Sequence, residues 1–255
     1  MGGGNGGRPW VEMRGIHKWF GGVHALKGVD FHVHRGEVVG LIGDNGAGKS
    51  TLIKILSGVF PPDKGEILIE GRRVRFRSPK DAKEYGIETV YQELALVDNL
   101  DVPANIFLGR EPALVGGRGL FALLHKGRML REARALLERL KVNIGDLTSL
   151  AGELSGGQRQ TVAIARALYT EPKLLIMDEP TAALAVQETR KVLDLVRKLR
   201  ERDIGVVFIS HTLQEVFAVA DRIVILRKGE KVGDLPAAAL TVDEAVKLMV
   251  GGEGA

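Results

Sequence analysis

Gly43-Asp44-Asn45-Gly46-Ala47-Gly48-Lys49-Ser50-Thr51 is a stretch suited to holding a chain of phosphates. Glycines let the backbone curl so that successive N–H groups point at phosphate oxygens, Lys49 adds fixed positive charge, and the Ser50 hydroxyl suits Mg²⁺. A second chemical signal is Asp178-Glu179, two carboxylates closing the apolar run Leu174-Leu175-Ile176-Met177. Alone, that is an ordinary polar strand end. Beside a phosphate cradle it fits the division of labour in a nucleotide hydrolase, one acid toward Mg²⁺ and one beside the attacking water. The third signal is Leu154-Ser155-Gly156-Gly157-Gln158, which opens a helical pattern in which Val162, Ala165 and Leu168 share a face. A hydroxyl and two glycines at a helix start make a second anion site, so a single nucleotide can call on two elements about a hundred positions apart.

These residues need a frame. The chain has 255 residues, 27% of them charged, a net charge of +4 and no cysteine. That composition excludes a disordered chain, a disulfide scaffold and thiolate metal sites, and no apolar run reaches the roughly 20 residues of a membrane span. Residues 1–9 are mostly glycine and read as a flexible leader without a secretory pattern, which makes the cytoplasm the default compartment. Residues 10–250 read as one domain and 251–255 as a tail. Val29, Phe31 and Val33 alternate with polar residues, and Gly65 to Val74 does so around a turn at Glu70-Gly71, predicting an antiparallel β layer. Val38 to Ile42, Leu174 to Met177 and Ile204 to Ile209 are apolar throughout, as parallel strands covered on both faces would be. Helical segments lie between them, from Ser78-Pro79 to near Gly86 and along Val192, Leu195, Val196 and Leu199. The fold class is therefore α/β with a mostly parallel core sheet. From about 93 to 170 no β-type run occurs, Gly109 to Gly119 is rich in Gly and Pro, and Leu123 to Leu140 is helical in pattern. This segment reads as a helical subdomain inserted in the core.

Together these motifs resemble the nucleotide-binding subunit of ATP-binding cassette (ABC) transporters, over essentially residues 10–250. The resemblance implies the P-loop NTPase fold, ATP and Mg²⁺ as ligands, and ATP hydrolysis coupled to transport. It carries over further residues one by one. Phe20, before Gly21-Gly22, falls where the family stacks an aromatic on adenine, with Trp19 the alternative. Gln92 in Val-Tyr-Gln-Glu resembles the glutamine that reaches Mg²⁺ and senses the membrane partner. Glu179 matches the catalytic base and His211 the histidine that contacts the γ-phosphate. The implied nucleotide contacts are then Phe20, Gly43 to Thr51 and Ser155 to Gln158, with Ser50, Gln92 and Asp178 around Mg²⁺. Lys49, Gln92, Ser155 and Asp178 follow one another at 43, 63 and 23 positions, in the family's order.

One position departs from the pattern. After Asp178-Glu179-Pro180-Thr181 the family usually reaches Ala-Leu-Asp, whereas here Ala182-Ala183-Leu184 leads to Ala185. The missing aspartate helps link the two sites of a dimer, so that linkage is in question. The variant resembles bacterial monosaccharide importers of the ribose, xylose and fructose type, as does Gly-Ile-Glu-Thr-Val-Tyr-Gln-Glu-Leu-Ala-Leu-Val. The implied partners are integral-membrane permease subunits, a periplasmic or lipoprotein sugar-binding protein and a second ATPase copy, at the cytoplasmic face of the inner membrane. Leu94, Leu96, Val97, Leu100 and Val102 would either line a groove for a permease helix or form the insertion's own core. An ATPase of another import or export class is the competing reading. A soluble family member acting on DNA or ribosomes is less favoured, because long coiled-coil inserts and a second cassette are absent from this sequence. No nucleic-acid partner is expected: Arg72, Arg73, Arg75 and Arg77 suit a solvated hairpin edge. His32 and His34 share a strand face but lack a third metal ligand, and Thr241 with Glu244 reads as a helix capping box.

Overall fold

In the computed structural model, which describes residues 7–112, 124–140, 142 and 144–251, ten strands form two sheets. Strands β1 (Val11–Phe20) and β2 (Val23–Val33) form a hairpin, β3 (Val38–Ile42) follows, and α1 (Lys49–Leu56) leads to the short pair β4 (Lys64–Ile69) and β5 (Arg72–Val74). Then come α2 (Pro79–Glu84), β6 (Ile87–Val90), α3 (Val102–Phe107), α4 (Lys126–Leu140) and α5 (Gly156–Leu168). The chain returns to the core in β7 (Leu174–Asp178), α6 (Val186–Glu201), β8 (Gly205–Ile209) and α7 (Leu213–Val219). It ends with the hairpin β9 (Arg222–Arg227) and β10 (Glu230–Pro236), and α8 (Val242–Val250).

The outer sheet is antiparallel in the order β2-β1-β4-β5, and the core sheet runs β10-β9-β3-β8-β7-β6. Within the core sheet only β10 is antiparallel, so the expected mostly parallel core and antiparallel layer are both present. The side-chain period of two explains why β3, β7 and β8 are apolar at every position. Val38, Leu175, Met177, Val206 and Phe208 enter a core shared with α3 to α8. Val39, Leu41, Leu174, Ile176, Val207 and Ile209 enter a second core, which α1 and the outer sheet close. Each such side chain, fully buried, contributes about 1.5–3 kcal/mol.

Among the described residues no strand lies between β6 and β7; α3, α4, α5 and a 3₁₀ turn at Ala151–Glu153 occupy that interval. Residues 113–119 of the Gly/Pro-rich stretch lie outside the described residues, as do residues 1–6 of the leader and 252–255 of the tail. The five apolar residues proposed for a groove divide. Val102 is fully buried and belongs to the core, Leu94 and Leu96 pack against it, and Val97 remains 36% exposed. The capping box is formed: the Glu244 N–H donates to the Thr241 hydroxyl, and the Glu244 carboxylate accepts from the Thr241 N–H.

Candidate functional site

Strand register decides which residues meet. Leu41 of β3 and Asp178 of β7 both align with Ile209 of β8, and Val90 of β6 aligns with Met177. The segments after β3, β6, β7 and β8 therefore leave the same edge of the sheet. They carry the Lys49 loop, Gln92, Asp178-Glu179 and His211, and the carboxyl edge of a parallel sheet is where open α/β folds bind ligands.

Asp44 to Thr51 form one wall of a 490 Å³ cavity, completed by Val23, His24, Ala25, Lys27 and Lys228. Glycine is required at Gly48, where φ is +104° and a Cβ would stand 2.8 Å from Leu26 Cδ2 and 3.0 Å from the Ala25 carbonyl oxygen. Gly48 is also the N-cap of α1 and supplies no side-chain cap, so the helix presents bare N–H groups to the cavity. The Lys49 ammonium donates to the Gly43 and Asp44 carbonyl oxygens at 2.5 and 3.1 Å. Burial lowers its pKa, and the carboxylates of Glu179 and Asp178 oppose that shift.

Asp178 is shifted the other way. Burial and then the Glu179 carboxylate raise its pKa, with Lys49 counteracting. A divalent cation would relieve that burden, and the hydroxyl of Ser50, the carboxylate of Asp178 and the amide oxygen of Gln92 are the hard oxygen donors Mg²⁺ prefers. The glycine cradle with three lysines suits a polyphosphate. The residues present thus fit ATP and Mg²⁺. Glu179 follows with φ +52°, a sparsely populated conformation for a non-glycine residue, and its N–H donates to the Ile209 carbonyl oxygen at 3.0 Å. Its Oε2 lies 2.7 Å from His211 Nδ1 and accepts from the His211 N–H at 3.3 Å. The His211 ring is 73% exposed and the Glu179 carboxylate 16%. Lys49, Asp178, Glu179 and His211 are therefore one cluster.

The remaining predicted residues sit apart. Phe20 ends β1, 46% exposed, with its ring edge-to-face with Phe60 at 5.4 Å. One face of Trp19 is covered by His24 at 4.1 Å, which leaves Phe20 the freer of the two aromatics. Ser155 caps α5, accepting from the Gln158 N–H at 3.2 Å, while Gln158 Oε1 accepts from the Ser155 N–H at 2.9 Å. Ser155, Gly157 and Gln158 line a 580 Å³ cavity that shares no residue with the one at Lys49. One copy of the chain does not bring the two candidate anion sites together.

Sequence reasoning missed two residues here. Glu188, in the first turn of α6, accepts from the Ser155 hydroxyl at 3.1 Å and lies against Gly157. It comes 33 positions after Ser155, so only the packing of α6 on α5 reveals it. Arg166 on α5 donates to the Leu94 and Ala95 carbonyl oxygens at 2.6 and 2.8 Å, fastening the loop after Gln92 to the helix that begins at Ser155. Ala185 stands at the N-cap of α6 with no side-chain oxygen to offer, where an aspartate would cap the helix.

The ABC transporter family pattern matches residues 26–182. A xylose/arabinose import ATP-binding protein of Sulfolobus acidocaldarius is 47% identical over 94% of this chain and 93% of its own length. A ribose import ATP-binding protein of Rubrobacter xylanophilus is 51% identical over 96% of this chain, which spans 47% of that protein. In three dimensions the fold matches an ATP-binding cassette of an ABC transporter in its ADP conformation, with TM-score 0.80, 28% identity and 96% of each chain covered. A dimeric bacterial ABC transporter cassette matches with TM-score 0.74 and 27% identity, over 89% of this chain and 98% of that one. The chain belongs to the ABC transporter family, as an ATP-hydrolysing cassette that uses Mg²⁺.

Proposed function

We propose that this cassette powers the import of a monosaccharide. The observation that carries the reading is the 47% identity, over nearly the full length of both chains, with a xylose/arabinose import ATP-binding protein. Integral-membrane permease subunits and a separate sugar-binding protein would choose the sugar. No helix among the described residues is long and apolar enough to cross a membrane, so attachment to the cytoplasmic face would run through the permease.

At the nucleotide, the N–H groups from Gly46 to Thr51 and the Lys49 ammonium hold the phosphate chain, and Phe20 stacks on the base. Ser50, Asp178 and Gln92 would hold Mg²⁺, which would supply positive charge to the phosphates. Glu179 takes a proton from the attacking water, and its hydrogen bond to His211 sets the direction of its free oxygen. His211, whose ring is largely exposed, would meet the γ-phosphate. A second copy, turned head to tail, brings its Ser155 and Gly157 over the first copy's Lys49 loop, since the two cavities of one chain share no wall.

Glu179→Gln tests the chemistry: ATP affinity should persist while turnover falls about a hundredfold or more, because the amide keeps the shape and loses the base. The transport reading is tested by assembling the chain with its permease and sugar-binding protein and measuring ATPase stimulation by pentoses, hexoses, amino acids and cations. Stimulation by a monosaccharide supports it; stimulation by an amino acid or a cation instead would overturn it.

A further inference from the structure

Two catalytic groups on different strands can act together only if something fixes their spacing. Glu179 leaves β7 in a strained conformation and His211 leaves β8 largely exposed, so neither holds itself. Beneath them is a small polar cluster. Thr181, two residues after Glu179, is 7% exposed, and Ser210, immediately before His211, is 2% exposed. The Thr181 hydroxyl donates to Glu215 Oε2 at 2.5 Å, and the Ser210 hydroxyl donates to the same oxygen at 2.9 Å. Ser210 Oγ in turn accepts from the Thr212 N–H at 3.1 Å, which fixes the turn that carries His211.

Glu215 has firm footing of its own. It lies in the first turn of α7, whose Val216 and Val219 are buried, and Val216 presses on Gly40 of β3 so closely that a Cβ there would strike it. One carboxylate oxygen thus joins the segments that follow β7 and β8, through Thr181 and Ser210, and the helix that carries it is seated on β3 through Val216. β3 is also the strand that delivers the Lys49 loop. Buried hydroxyls need an acceptor, and a shared one sets their separation in a way that apolar packing does not.

We propose that Glu215 is a positioning residue for ATP hydrolysis, holding Glu179 and His211 at working distance through Thr181 and Ser210. Its hydrogen bonds are to the Thr181 and Ser210 hydroxyls, so it acts through its neighbours. The inference rests on the roles proposed above for Glu179 and His211. An error of about 1 Å at reacting groups can cost two orders of magnitude in rate, so loss of this tie should appear in turnover rather than in binding.

The test is steady-state ATPase kinetics, ATP affinity and binding stoichiometry of the full chain and its variants. Glu215→Ala should lower kcat about tenfold or more, with the ATP Kd within about twofold of the parent and one ATP still bound per site. Glu215→Gln should recover most of the rate, because its amide oxygen accepts both hydroxyls. Ser210→Ala and Thr181→Val should each lower kcat several-fold and add little on top of Glu215→Ala, the non-additivity of a shared network. An unchanged kcat in Glu215→Ala overturns the proposal, as does a parallel loss of kcat and ATP affinity that Glu215→Gln fails to rescue. Should Glu215→Ala fail to fold, the two hydroxyl variants decide: parent kcat in both overturns the tie. Glu179→Gln in the same series separates the levels. If it retains parent turnover, the role of Glu179 is wrong and the tie falls with it. If it is inactive while Glu215→Ala turns over normally, only the tie falls.

Discussion

The two helix starts proposed to meet the nucleotide are built in opposite ways. At α1 the N-cap is Gly48, no side chain closes the helix, and three lysines stand around a backbone curled by glycine. At α5 the N-cap is Ser155, Gln158 completes a capping box, and Glu188 places a carboxylate on the Ser155 hydroxyl. Free N–H groups at a helix start attract anions; a cap and a nearby carboxylate satisfy and screen them. The Lys49 site is therefore prepared for phosphate within one chain. The start of α5 is closed from inside by Glu188; on the head-to-tail pairing proposed above, that contact would keep the element silent in a monomer.

Removing the ligand-facing charge should have the largest effect. Lys49→Ala should lower turnover by about two orders of magnitude or more, since charged donors aimed at a transferring phosphoryl are worth several kcal/mol. Burial depresses the Lys49 pKa, so the protonated form is less favourable in the fold than in the unfolded chain. The nucleotide-free Tm should then not fall, and differential scanning calorimetry beside an ATPase assay reads both. A clear loss of Tm would mean the ammonium holds the loop together rather than waiting for phosphate.

A methyl group probes the backbone at each helix start. Gly48→Ala meets Leu26 and the Ala25 carbonyl at an unfavourable φ, which should cost about 1–3 kcal/mol, several degrees in Tm, and weaken ATP binding with it. At Gly156 the nearest atom to a Cβ is Leu184 Cδ2 at 3.6 Å. Gly156→Ala should fold at the parent Tm within about 0.5 kcal/mol. Equal losses at the two positions would erase the contrast.

The smallest effect expected is at Glu188. A carboxylate at a helix start is worth about 0.3–1 kcal/mol, so Glu188→Gln should change Tm by only a few degrees at most. Its sharper signature is association: in a Glu179→Gln background, light scattering should show dimers at an ATP concentration a few-fold below that needed with Glu188 present. A shift to higher ATP would make Glu188 a helper of the dimer.

Much of this was legible before the structure. The Lys49, Asp178-Glu179 and Ser155 motifs each carry their chemistry within a few consecutive residues, and β3, β7 and β8 announce themselves by being apolar on both faces. β1 was hidden because register shifts around Gly15 break its alternation, and β9 and β10 because charged ends and Gly233 interrupt theirs. The partners Glu188, Arg166 and Glu215 were illegible for a different reason. Each acts across at least one helix packing, where spacing along the chain carries no signal. Val102 among the apolar run after Gln92 shows the same limit, since a groove and a core ask for the same residue types.

The order of the core sheet also bears on how the protein is made. β3 and its phosphate loop are complete by residue 51, yet both strands that hydrogen-bond to β3 come more than 150 residues later, at Gly205–Ile209 and Arg222–Arg227. A nascent chain leaving the ribosome therefore carries a phosphate loop without a sheet edge to set it against. Glu179 and His211 find each other only once β8 has slotted between β3 and β7. Such long-range closure slows folding, and on the roles proposed for Glu179 and His211 a fragment that ends before β8, released by a stalled ribosome or a protease, would lack half of its catalytic pair.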